Sequence, residues 1–228
     1  MSIAEKLTTI AENQQRVYDA GMSKAESDMW DGVLDNGNRV FFEYAFYAWG
    51  AEYLRPNRKI VPTSRVLRMF QDCIHLKKVE SRYFDLSISA SEDYTNSNNG
   101  NGYVFQGCSE LEEIEDIGMR AGYYNSTFKN CNNLHTIAVL RSTAETLFNT
   151  AFTGCYSLEN ITISGVIGQN GFNVSACNKL THDSLMSIIN ALQTKTSGTW
   201  TLTLGATNLA KLTDAEKAIA TEKGWTLA

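Results

Sequence analysis

Apolar positions recur through the middle of the chain in one frame, Phe-x-x-Cys-x-x-Leu-x-x-Ile/Val. The copies are Phe70-Cys73-Leu76-Val79, Phe105-Cys108-Leu111-Ile114, Phe128-Cys131-Leu134-Ile137 and Phe152-Cys155-Leu158-Ile161. A fifth cysteine, Cys177, keeps Leu180 three residues on, with Val174 at the aromatic position and Phe172 just upstream. Successive cysteines are 35, 23, 24 and 22 residues apart. A period in the twenties denotes stacked units, none of which can bury its apolar face alone. In each unit the Phe-x-x-Cys segment predicts a short helical turn. The Leu-x-x-Ile segment predicts a strand with one buried side, as in Leu158-Glu159-Asn160-Ile161-Thr162-Ile163. Stacked about 4.8 Å apart, such strands form a ribbon of parallel sheet, with Phe, Cys, Leu and Ile of every unit aligned in inward columns.

The flanks follow other periods. Ile3, Leu7, Ile10, Gln14 and Val17 are spaced 4-3-4-3, a heptad seam with one polar core position. It runs for only about two heptads, too short to hold as an isolated coiled coil. The alternative is a single amphipathic helix packed on its own domain. Residues 23–34 predict a second short helix and Asn36-Gly37-Asn38 a turn. The stretch from Val40 to Trp49 is the most aromatic in the chain, and it must pack against the first repeat or a neighbouring subunit. Pro56 and Pro62, the only prolines, mark a boundary before the repeats. After Leu180 the period stops. Thr181 can cap a helix carrying Leu185, Met186, Ile188, Ile189 and Leu192, Thr199 to Leu204 alternates as a strand, and Thr213-Asp214-Ala215-Glu216 opens another helix. Gly224 stops that helix, and Trp225-Thr226-Leu227 predicts a last strand. The organisation is thus a helical segment (1–33), an aromatic connecting segment (34–66), repeats (67–180) and an α/β unit closing the open end (181–228).

The first repeat is longer than the others by about a dozen residues, through the polar run Ser91 to Gly102. Insertions in repeats map to one side, often the binding side. Tyr94, Asn96, Asn98, Asn99, Asn101 and Tyr103 are therefore the candidate ligand contacts. Tyrosine supplies flat amphipathic area, and asparagine supplies both donors and acceptors. The alternative is a tolerated flexible insertion. Tyr83, Tyr123 and Tyr124 extend the patch if they point outward.

Composition narrows the rest. With 43% hydrophobic and 20% charged residues the 228-residue chain is globular, and its net charge of −5 offers no basic face to nucleic acid or an anionic membrane. The first residues lack the basic and apolar regions of a secretory signal, which predicts assembly in the cytoplasm. The five cysteines share an inward position and have no CxxC or Cys/His ligand spacing, so they read as buried reduced thiols. On that reading Cys131→Ser buries a hydroxyl without an assured partner. His75, His135 and His182 have no partner at nucleophile or metal spacing. The acids from Glu110 to Asp116 alternate with Leu111 and Ile114 as the solvated positions of a strand. No phosphate-binding, dinucleotide or zinc-protease motif is present, and the sequence predicts a non-enzyme with no cofactor and no metal.

The repeated frame resembles the BspA-type leucine-rich repeat. The resemblance implies an α/β leucine-rich-repeat solenoid, here with an N-terminal helical oligomerisation segment and an α/β C-terminal cap. Three further segments, Ile3 to Asn13, Arg55 to Thr63 and Leu209 to Ala220 with Lys223 to Leu227, resemble leucine-rich-repeat proteins encoded among phage and prophage tail genes. That likeness implies a virion component near the tail tip, trimeric like other fibres, that contacts other tail proteins and a host-surface glycan or protein. A bacterial surface adhesin or general interaction module is the other reading of the same repeats.

Overall fold

The computed structural model describes residues 45–56, 59–62, 66–87, 102–119 and 122–228. The heptad segment, the second short helix and the candidate contacts Tyr94, Asn96, Asn98, Asn99 and Asn101 lie outside these residues. Four strands, β1 (Lys78–Val79), β2 (Glu113–Ile114), β3 (Thr136–Ser142) and β4 (Asn160–Gly165), form one parallel sheet in chain order. Equivalent frame positions are in register, since Val79 pairs with Ile114, Ile114 with Ile137, and Ile137 with Ile161. A second backbone ladder runs one residue after each inward Leu. There the N–H of Lys77, Glu112, His135, Glu159 and Thr181 donates to the carbonyl of Glu52, Lys77, Glu112, His135 and Glu159 in turn, at 2.8–2.9 Å.

The interior is built from identical positions. Phe70, Phe105, Phe128 and Phe152, Cys73, Cys108, Cys131, Cys155 and Cys177, and Leu76, Leu111, Leu134, Leu158 and Leu180 are all buried. Phenylalanine rings stack along the column at 5.2, 6.0 and 5.6 Å between centroids, within the range that favours offset rings. Each thiol donates to the carbonyl of the preceding unit's phenylalanine: Cys108 to Phe70, Cys131 to Phe105 and Cys155 to Phe128, at 2.9–3.0 Å. This corrects the expectation for Cys131→Ser, because the buried hydroxyl would find Phe105 O waiting.

The stack also starts before the first Phe-x-x-Cys copy. Phe46 lies 5.4 Å from Phe70 in the same ring column, and its carbonyl accepts from Cys73 Sγ at 2.7 Å. Phe46 N donates to Met69 O and Ala48 N to Gln71 O, both at 2.8 Å, repeating the links between later units. The described end of the aromatic stretch, residues 45–49, thus packs on the first repeat by extending its column. Trp49 stands where later units have cysteine, which hid this unit from the frame.

Each turn places the residues two before and two after its phenylalanine in the left-handed region. Arg68 and Asp72, Tyr103 and Gly107, Ser126 and Asn130, and Thr150 and Gly154 have φ between 52° and 85°. At Gly107 the need is also steric, because a Cβ there would collide with the Asp72 carboxylate of the preceding unit.

The last unit replaces its strand by helix α1 (His182–Asn190), capped by Thr181, whose side chain accepts from Ser184 N. The helix closes the free edge of β4 with side chains. Ile161 N donates to Ser184 Oγ at 3.0 Å and Ile163 N to Ser187 Oγ at 2.9 Å, while Ser184 Oγ donates to Glu159 O at 2.9 Å. Strand groups that would otherwise recruit another chain are thereby satisfied. Beyond it, β5 (Trp200–Leu202) and β6 (Trp225–Leu227) pair in parallel around α2 (Ala206–Leu209) and α3 (Asp214–Glu222). Thr213 and Glu216 form a reciprocal capping box on α3. Lys223 Nζ donates to Ile189 O and Asn190 O at 3.2 and 2.7 Å, a cation at the C-terminal end of α1.

Candidate functional site

The thiols lie inside the stack. All five cysteines are free and buried. Burial pushes the Cys177 thiol up to about 12 and raises Cys108, Cys131 and Cys155 well above their ordinary value. Such thiols supply no thiolate at neutral pH. Among the described residues no group of three His, Cys, Asp or Glu side chains could hold a metal ion. His75 faces Glu110 at 3.3 Å and His182 faces Glu216 at 2.8 Å, both at the surface, and His135 is exposed.

The outer sheet face divides into two halves. Along one row the register runs Lys78, Glu113, Thr136, Asn160. At the β1–β2 end Lys78 Nζ lies 3.0 Å from Glu113 and 2.8 Å from Glu115. The hydrogen bond from Lys78, followed by one from Ser81 N–H, lowers the Glu115 carboxyl to about 2. Asp116 is held below its ordinary value by both guanidinium nitrogens of Arg141. The acidic run is therefore not simply solvated. Glu110, Glu113, Glu115 and Asp116 each tie to a basic residue of an adjoining unit. The β3–β4 end carries the uncharged Thr136, Asn160, Thr162 and Ser164, and its one charged strand residue, Arg141 beside Ser164, is the partner of Asp116.

The corner beside the polar insertion holds the described part of the predicted contact loop. Tyr103 is half-buried, with the Arg68 guanidinium 4.3 Å above its ring and its hydroxyl accepting from Asn125 Nδ2 at 3.1 Å. Arg68 donates to Gln71 Oε1 at 2.7 Å, and Gln71 Nε2 donates to Asp72 at 3.2 Å. Gln106, at the position of Gln71 in the next unit, keeps a buried Oε1 with no hydrogen-bond partner among the described residues. Tyr83 and Tyr123 are also half-buried, Tyr83 beneath the Arg82 guanidinium at 4.7 Å. Tyr124 does not extend this surface. It is wholly buried, stacked 5.3 Å from Phe148, with its hydroxyl donating to Arg141 O. Arg68, Gln71, Gln106 and Asn125 escape a reading that follows only the apolar frame. The signal that finds the first three is the repeat register, because positions two before and one after each phenylalanine touch in space; Asn125, three before Phe128, is found only through its contact with Tyr103.

This geometry defines an α/β repeat protein whose units share an interior and differ outside. Residues 98–196 match the model of the BspA type leucine rich repeat region in six copies. The match supports the leucine-rich-repeat family for that stretch, which begins within the polar insertion and runs through α1. No curated protein matches the chain, and no solved structure matches it.

Proposed function

We propose that this chain is a non-enzymatic recognition protein whose repeats hold outward side chains in fixed register for a macromolecular partner. The observation that carries this reading is the contrast within each unit. The Phe, Cys and Leu positions recur and are buried in the four full copies of the frame, while the outward positions change charge and shape from unit to unit. A rigid interior with a variable exterior suits binding, and fold alone names no ligand. Leucine-rich repeats fit a protein–protein interaction or adhesin role. The finer proposal is a phage virion component at the tail tip or fibre, assembled as a trimer through residues 1–33 and the aromatic segment, and contacting the host surface. Its support is the likeness of the segments Ile3 to Asn13, Arg55 to Thr63 and Leu209 to Ala220 to tail-encoded repeat proteins.

Mass spectrometry of purified phage particles tests the virion reading, and the chain must be found among their proteins. Light scattering on the whole protein and on a chain starting at Leu34 tests the assembly, with a micromolar monomer of the whole protein ruling out the trimer. Adsorption of the purified protein to intact cells and to envelope extracts tests recognition itself, and binding to neither defeats it.

A further inference from the structure

The orphaned oxygen of Gln106 has a cause visible in the repeat. In the first Phe-x-x-Cys unit, Arg68 and Gln71 stand two before and one after Phe70, and the guanidinium donates to the glutamine oxygen at 2.7 Å. In the next unit the equivalent pair about Phe105 is Tyr103 and Gln106. Their backbones repeat the geometry, with φ of 58° at Arg68 and 59° at Tyr103, and with Gln71 N donating to Arg68 O and Gln106 N to Tyr103 O, both at 3.1 Å. A tyrosine has replaced the arginine, however, and its hydroxyl is engaged by Asn125 in the following unit. Among the described residues Gln106 Oε1 is left without a donor. Buried acceptors without partners are rare and costly, and one kept at an outer corner calls for a donor from elsewhere.

We infer that the corner formed by Arg68, Gln71, Tyr103, Gln106 and Asn125 is a binding site for a neutral saccharide, one of whose hydroxyls donates to Gln106 Oε1. Gln106 as a residue is partly exposed although its Oε1 is buried, and binding would require a change of its side-chain torsions that brings the oxygen to the surface. The surroundings suit a sugar. They combine the half-buried ring of Tyr103, the part-exposed amide of Asn125 and the N–H groups of Arg68, which the buried Gln71 holds in place. Gln71 bridges Arg68 to Asp72, so the local charge is balanced and does not select an anion. The inference rests on the recognition reading above and assigns its ligand class.

The test is calorimetric and NMR titration of the full chain with neutral oligosaccharides of glucose, galactose and N-acetylglucosamine units. Two variants accompany it. Gln106→Leu removes the acceptor, and Tyr103→Arg restores the arginine of the preceding unit at a backbone position already shown to accept it. At least one oligosaccharide is expected to bind, and each variant is expected to weaken it about tenfold, the loss of one or two hydrogen bonds. Tyr103→Arg should also raise Tm by about 2–4 °C as Gln106 gains a partner. Should Tyr103→Arg fail to fold, Gln106→Leu alone decides. Binding unchanged in Gln106→Leu overturns the inference. So does the absence of binding by every oligosaccharide, which would leave a structural water as the partner of Oε1. If the sugars fail while the protein still adsorbs to cells, this site falls and the recognition reading stands.

Discussion

The inside and the outside of the same strands obey different rules. Inward, one set of contacts is repeated, in which phenylalanine stacks on phenylalanine, each thiol donates to the carbonyl of the preceding unit, and each isoleucine or valine pairs with its equivalent. Outward, the sheet passes from the ion-paired Lys78, Glu113 and Glu115 to the uncharged Thr136, Asn160 and Thr162 within three unit steps. Stacking constrains only what is enclosed between neighbours, so each unit can change its outer face without disturbing the next. That freedom is what a binding surface needs, and it is why the interior reveals the fold while the exterior must reveal the ligand.

The contrast is most sharply broken from within. Phe128 is fully buried between the rings of Phe105 and Phe152. Phe128→Ala should cost about 3–5 kcal/mol in denaturant unfolding, against less than about 0.5 kcal/mol for the outward Thr162→Ala. Equal losses would show that the column is not what holds the stack. Ser184→Ala comes next. It strips the acceptor from Ile161 N and the donor from Glu159 O at the protected edge, and should cost about 1–3 kcal/mol by the same assay. A chain that loses stability here should also gain a tendency to self-associate through β4, visible by light scattering.

Cys131→Ser tests the interior more gently. The shorter, stronger hydroxyl donor replaces a thiol already directed at Phe105 O, so the change should stay within about 1 kcal/mol while Cys131→Ala costs more. A serine variant as unstable as the alanine one would show that the thiol ladder contributes only volume. On the outer face the smallest effect is electrostatic. The carboxyl of Glu115 titrates near 2 in the folded chain, below its ordinary value near 4.5. A depressed carboxyl contributes stability above its unfolded value and loses it as pH falls through the folded one. Stability should therefore decline between about pH 4.5 and pH 2, and Glu115→Gln should flatten that part of the profile. An unchanged profile would mean that the Lys78 pairing is fully screened by solvent.

Much of this was legible in the residues themselves. The Phe-x-x-Cys-x-x-Leu frame marks the inward positions of the repeats, because burial between identical neighbours admits few side chains. Thr181 and the Thr213–Glu216 pair announce α1 and α3, since capping is a local hydrogen-bond pattern. Long-range matters were not legible. Trp49 at a cysteine position concealed the unit around Phe46, which only the ring column and its carbonyl links reveal. Tyr124 resembles a surface aromatic in sequence, yet its neighbours across the stack enclose it.

The sequence by itself thus determined the repeat, its period, its enclosed positions and its terminal caps, because these depend on side chains within one unit or at a constant spacing. Tertiary structure alone decided which groups meet across units. It set Ser184 and Ser187 against the edge of β4, tied the acidic run to Lys78 and Arg141, and left Gln106 without the donor that Arg68 gives Gln71. Those meetings join residues 23 to 37 positions apart, and their hydrogen bonds and charges depend on how the units stack, which no local pattern encodes.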